Sequence, residues 1–77
     1  MKQLTHYIVS HLVEHPDALV VTETDQGNGN MVITISVAKE DMGRVIGKEG
    51  KVIKSIRDVV KILAVKENKH VDVVLAE

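Results

Sequence analysis

The sequence contains no cysteine, phenylalanine or tryptophan, and it has one proline and one tyrosine. Without cysteine there is neither a disulfide framework nor a thiolate zinc site, which suits a reducing cytoplasm. With Tyr7 as the sole aromatic, the stacking platforms on which many proteins lay out unpaired bases are missing. The apolar runs are a few residues long, against the roughly 20 needed to cross a bilayer, so no membrane span is predicted. Met1-Lys2-Gln3-Leu4-Thr5-His6 alternates polar residues with others and has no long apolar stretch; it is expected to be mature protein rather than a signal peptide. The expected location is cytoplasmic.

What is present supports one small domain spanning residues 1–77. The chain is 44% hydrophobic and 27% charged, a balance that argues against disorder. At this length only about 60% of the unfolded surface is buried, so the core must be thin. The net charge is −1, but it is unevenly spread. From Arg44 to Lys61 six basic residues face two acids, a local +4 that leaves −5 for the rest. Such a layout favours an anionic partner at one place and repels it elsewhere.

Leu4, Tyr7, Ile8, His11 and Leu12 recur at the spacing of an amphipathic helix, predicted from Lys2 to about Glu14 and stopped ahead of Pro16. Ala18 to Thr24 is rich in β-branched residues and predicts a strand. Asp25 to Asn30 has turn composition. Met31, Ile33, Ile35 and Val37 alternate with polar or smaller neighbours, predicting a second strand antiparallel to the first. The acids of Lys39-Glu40-Asp41 suit the first turn of a short helix ending near Ile46. Gly43 lies inside it, either for close helix packing or as a tolerated destabilising residue, or else for close approach of a ligand backbone. Val52, Ile53, Ile56, Val60 and Leu63 mark the inner face of a long helix ending near Val65. A polar connector leads to a last strand, His70 to Leu75. The expected class is α+β, with order αββααβ and helices on one face of a three-stranded mixed sheet, because the helical crossover makes the last two strands parallel.

The stretch Val45-Ile46-Gly47-Lys48-Glu49-Gly50-Lys51 joins the two helices. Two glycines three apart allow a sharp turn and close approach of another backbone. The following helix offers its first N–H groups and the positive end of its dipole at the same place, which suits an anion. Other phosphate-binding motifs fail: a P-loop needs G-x-x-x-x-G-K-[ST], but Met42 and Glu49 occupy two of its required positions. The dinucleotide fingerprint fails at Val45. His11 and His15 flank Glu14 without forming H-E-x-x-H, and no third ligand is evident. No Ser-His-Asp or Cys-His set can be assembled, so neither an enzyme nor a metal or cofactor is expected.

The run DMGRVIGKEGKVIKSIR, with Ile46-Gly47-Lys48-Glu49-Gly50 at its centre, resembles the K-homology (KH) family of nucleic-acid-binding domains. The additional helix and strand ahead of the βααβ core match its type II variant. A lone domain of this size is similar to the small bacterial single-domain RNA-binding proteins of the KhpA family. The resemblance covers the whole chain. It implies that Gly47 and Gly50 shape a loop clamping the backbone of about four nucleotides of single-stranded RNA, with Lys48 and Glu49 as its variable residues. It further implies that Val45 and Ile46 line an apolar groove for bases, that Lys51 lies near phosphate, and that Arg44 and Lys54 flank it. Glu49 is the discordant member, since a carboxylate in a phosphate clamp repels the ligand. The implied role is post-transcriptional regulation or RNA chaperoning, with a homodimer or a larger KH-containing protein as partner. The alternative is an adaptor that uses the KH fold for dimerisation or docking.

Overall fold

The computed structural model describes residues 1–76. Its order is α1 (Lys2–Ser10), β1 (Val20–Gly27), β2 (Asn30–Ser36), α2 (Met42–Ile46), α3 (Lys51–Lys66) and β3 (His70–Leu75). Short 3-10 turns occupy Pro16–Ala18, Lys39–Asp41 and Lys48–Gly50. The sheet order is β1-β2-β3, with β1 antiparallel and β3 parallel to β2. The predicted α+β class and mixed sheet are therefore what the chain adopts.

Register puts the core residues of the parallel pair side by side: Met31 opposite Val71, Ile33 opposite Val73 and Ile35 opposite Leu75. Ile33 and Ile35 are wholly buried, as are Val9 of α1, Val45 of α2, and Val60 and Ala64 of α3. Ile53 and Ile56 extend the α3 stripe. All of them belong to one cluster that also takes in Val21, Val71 and Val73. The helices thus cover one sheet face. On the other face Val20 and Val74 remain about half exposed, because successive side chains of a strand point to opposite sides.

Two expectations about the N-terminal half need correction. The first helix stops at Ser10, not Glu14, because side chains capture the carbonyl that the next turn needs. Ser10 Oγ donates to the Tyr7 oxygen at 2.7 Å and His11 Nδ1 reaches it at 2.8 Å. The His11 N–H closes on Ile8 instead, a tighter turn that ends the helix. The buried stripe is also rotated. Thr5 and Val9 point inward, with Ile8 and Leu12 beside them, whereas Tyr7 is 64% exposed and His11 is exposed. Thr5 tolerates burial because its hydroxyl donates to the Met1 carbonyl at 2.8 Å.

The first strand is likewise displaced, running from Val20 to Gly27 rather than from Ala18 to Thr24. It turns into β2 through Asn28 and Gly29, both at positive φ (56° and 79°). Asn-Gly in that conformation matches the twist of a two-residue hairpin. Asp25 accepts the Gly27 N–H at 2.8 Å, beside a break in register between Asp25 and Gly27.

Candidate nucleic-acid interface

The joint between α2 and α3 is held from behind by a buried carboxylate. Asp41 is 1% exposed, and its two oxygens accept the backbone N–H groups of Glu14 and His15, each at 3.0 Å. The segment leaving α1 is thereby fastened to the start of α2. The Glu14 N–H above all holds the Asp41 carboxyl below its ordinary value; the His15 N–H and the charges of His15 and Arg44 act in the same direction, against the opposing effect of burial. Arg44 completes the assembly, pairing with Glu14 and lying 3.8 Å from Asp41. The sequence suggests acids at a helix start here but carries no sign that one of them is internal.

α2 ends at Gly47, whose backbone (φ 76°, ψ 173°) lies in a region that is essentially glycine-only. Its N–H donates to the Gly43 carbonyl at 2.9 Å, and its own carbonyl accepts the Gly50 N–H at 3.1 Å. A Cβ on Gly47 would stand 2.3 Å from Val52 Cγ2 and 2.9 Å from the Val52 nitrogen. The two glycines differ in this respect: Gly50 is left-handed (φ 73°), yet a Cβ there would meet nothing within 4 Å. Between them Glu49 is also left-handed (φ 58°, ψ 25°).

α3 therefore begins beneath a bare turn. No side chain caps it and its first turn contains no acid; the Lys51 N–H is taken by the Lys48 carbonyl, and the N–H groups that follow it in the first turn have no partner within α3. Around this end Lys48, Lys51 and Lys54 are all exposed. Glu49 lies 3.9 Å from Lys51 Nζ, a loose surface pair that partly offsets its charge. No ion pair engages Lys48 or Lys54 among the described residues. Ile46, 36% exposed, presents an apolar side chain beside the turn.

Val45 requires a correction. It is 0% exposed and belongs to the core, so it has no surface with which to line a groove. It can only support such a groove from within. Arg44, expected as a flanking contact, is tied into the Asp41–Glu14 assembly. Gly43 is not a packing glycine: it is exposed, and a Cβ there would meet nothing within 4 Å. Gly43→Ala should accordingly stabilise the free protein by about 0.5–1 kcal/mol, a rise in Tm of a few degrees measurable by thermal melting. A melting point at or below that of wild type would mean that the helix geometry here is not what sets the cost of glycine.

A depression of about 650 Å³ opens at the other end of α2, lined by Ser36, Val37, Lys39, Met42 and Ala76. Lys39 is its one charged side chain, which is too little to give it a defined chemistry. The described residues contain no group of three or more potential metal ligands. None of their helices is long and apolar enough to cross a membrane. Of the expected residues, Ile46, Gly47, Lys48, Glu49, Gly50, Lys51 and Lys54 gather at the joint.

An αββααβ chain with one antiparallel and one parallel strand pair, and a Gly-x-x-Gly turn between the two helices of its crossover, is a type II KH-like domain. The family described as KhpA/KhpB, KH domain, matches residues 2–75, and the chain belongs to that family. It is 49% identical over 71 residues to the RNA-binding protein KhpA of Clostridium acetobutylicum, covering 92% of this chain and 93% of that one. Against the RNA-binding protein KhpA of Listeria monocytogenes, identity is 42% with both chains covered in full. Against that of Chlamydia pneumoniae it is 38%, covering 100% of this chain and 97% of the relative.

Proposed function

We propose that this chain binds single-stranded RNA without catalysing a reaction, and that the turn from Gly47 to Gly50 clamps the sugar-phosphate backbone. The observation that carries this reading is the start of α3: uncapped, free of acids in its first turn and preceded by glycine. A helix in that state offers N–H donors and a positive dipole end to phosphate. Lys48, Lys51 and Lys54 add charge, Ile46 gives bases an apolar surface, and Arg44 braces the assembly behind. The names of the relatives support the same ligand class. Action in the cytoplasm, as a post-transcriptional regulator or RNA chaperone, is the setting this reading fits, and it needs no cofactor.

A folded Lys48→Asp, Glu49→Asp double variant tests it. Binding of short unstructured RNAs should fall at least tenfold. The dependence of log affinity on log salt should flatten by about 0.7 for each phosphate that is no longer neutralised. Equal binding by wild type and variant, with circular dichroism unchanged, would remove the clamp from this loop.

Each exposed helix-end or surface-charge interaction contributes only about 0.3–1 kcal/mol, so one domain binds weakly. A second linked site raises effective concentration without new contacts. The outer side of α3 supports such pairing: Val59, Ile62 and Val65 are 44%, 62% and 70% exposed. A second copy of the chain, or a larger protein with its own KH domain, would cover them. Ile62→Asp should therefore lower the mass seen by sedimentation and weaken RNA binding together. A lower mass without any change in RNA binding, combined with a flat salt response, would favour a docking adaptor instead.

A further inference from the structure

The residues left exposed on the outer side of α3 are arranged symmetrically about Ile62. Val59 and Val65 lie three residues to either side of it and are 44% and 70% exposed. Asp58 and Lys66 lie four residues to either side, and both are exposed. No ion pair engages either of them among the described residues. At 3.6 residues per turn, Val59 and Val65 fall about 60° round the helix on the two sides of Ile62, and Asp58 and Lys66 about 40°. Such a stripe is complementary to itself when a second α3 runs antiparallel to the first. Ile62 then meets the partner's Ile62 on a two-fold axis, and Asp58 comes level with the partner's Lys66, twice over because the contact is isologous. Parallel pairing would set like charges beside one another. The second copy proposed above therefore has a direction.

That direction decides where the glycine turns go. Lys51, at the start of α3, is eleven residues before Ile62, about 16 Å along the axis at 1.5 Å per residue. Antiparallel pairing sends the two turns to opposite ends, about 33 Å apart on the same rise per residue. Lys54 and Lys61, both exposed, lie about a quarter turn round the helix from Ile62. They share the flank on which Arg57 Nε donates to the Val73 carbonyl at 3.0 Å. The two-fold axis brings this flank of both copies onto one face of the pair. A basic track thus runs inward from each turn to the seam. There the two Lys61 side chains approach across helices about 8–10 Å apart, a repulsion that a bound polyanion relieves.

An RNA strand has a direction, and one turn with its flank is an asymmetric surface that takes the strand one way round. The two-fold axis carries that direction with it. Strands entering at the two turns consequently reach the seam with like ends facing, both 3′ or both 5′. One continuous strand can do this only by doubling back along the whole of a track. We infer that the paired protein holds two separate single-stranded RNA segments head to head, and so joins two RNA molecules, or two distant segments of one, instead of clasping one continuous strand. The inference rests on the RNA-binding and pairing readings above.

The test uses two hexauridines joined through a short flexible spacer in three senses: 3′ to 3′, 5′ to 5′ and the natural 3′ to 5′. Each half can fill a turn, which takes about four nucleotides, and extend toward the seam. One of the two inverted RNAs should bind wild type about tenfold or more tightly than hexauridine alone, through effective concentration. The other inverted RNA and the natural one should gain about twofold at most, from carrying two segments that bind one at a time. Asp58→Lys should lower the sedimenting mass and abolish the tenfold gain, and adding Lys66→Asp to it should restore both. Equal gains for all three linkages, a gain for none, a wild type that sediments as a monomer, or a charge exchange that restores nothing would overturn the inference while leaving the clamp intact. No binding by wild type to any of these RNAs, or equal binding by the Lys48→Asp, Glu49→Asp variant, would overturn the RNA-binding reading as well. Should a variant fail to fold, the comparison of linkages on wild type still decides the case, since it alters only the ligand.

Discussion

Gly47→Ala is expected to destabilise the domain by about 3 kcal/mol or more, and Gly50→Ala by about 1–2 kcal/mol. Both positions have positive φ, and a left-handed alanine costs roughly 1–2 kcal/mol. Only at Gly47 does the ψ of 173° place the backbone where non-glycine residues scarcely occur. There the added methyl also strikes Val52, and overpacking of that kind costs a further 1–3 kcal/mol or so. In a domain this small, the Gly47 change should lower Tm by more than about 10 °C. Val52→Ala should not rescue it, because the Val52 Cβ and nitrogen, 2.7 and 2.9 Å from the new methyl, remain. Gly50→Asn should melt close to wild type, since asparagine tolerates the left-handed region. Equal melting points for the two alanine variants would mean that the turn has rearranged and that the Val52 contact does not define it.

The second large effect is expected at Asp41. Asp41→Ala leaves the Glu14 and His15 N–H groups without their acceptor and Arg44 without one of its two carboxylates, so Tm should fall by about 10 °C. Asp41→Asn should lie between the two, keeping one acceptor but no charge. The pH dependence separates charge from shape. The folded carboxyl titrates below the ordinary value of 3.8. Its contribution is therefore complete above about pH 4. It is lost as pH falls through the ordinary value and on through the lower folded one. Melting curves of wild type and Asp41→Asn, taken from pH 7 to 2, should draw closer as pH falls below the ordinary value of 3.8. A gap that stays constant to pH 2 would show that the negative charge is irrelevant and the fastening is steric.

How far these features can be read beforehand depends on whether they are local. The β2 alternation and the α3 stripe are repeated patterns of burial, and both elements lie where those patterns put them. The Gly-x-x-Gly turn is legible because glycine alone fits such backbone angles. Asn28-Gly29 also carries a local signal, the strongest one for a two-residue hairpin, which is overlooked when Asp25 to Asn30 is taken as a single turn. The end of α1 is not legible in this way. Helical spacing fits Tyr7 and His11 as well as Thr5 and Val9, and only the packed sheet decides between them. Nor does any period reveal that Asp41, 26 and 27 residues away from its partners, is internal, or that Val45 lies beneath the surface instead of on it. The proposed RNA contacts belong to a further level, where binding has to be measured.

The unequal burial of the three strands has a consequence in time. β1 is an edge strand with Val21 as its one buried side chain, while β2 buries Ile33 and Ile35 and β3 buries Val71 and Val73. Amides joining β1 to β2 should exchange with solvent through local opening of that margin. Those joining β2 to β3 should wait for unfolding of the whole domain. The glycine turn belongs to the slower half, because it leads into α3, which packs against β3. The outer strand can breathe while the turn keeps its shape, and the site would be lost last.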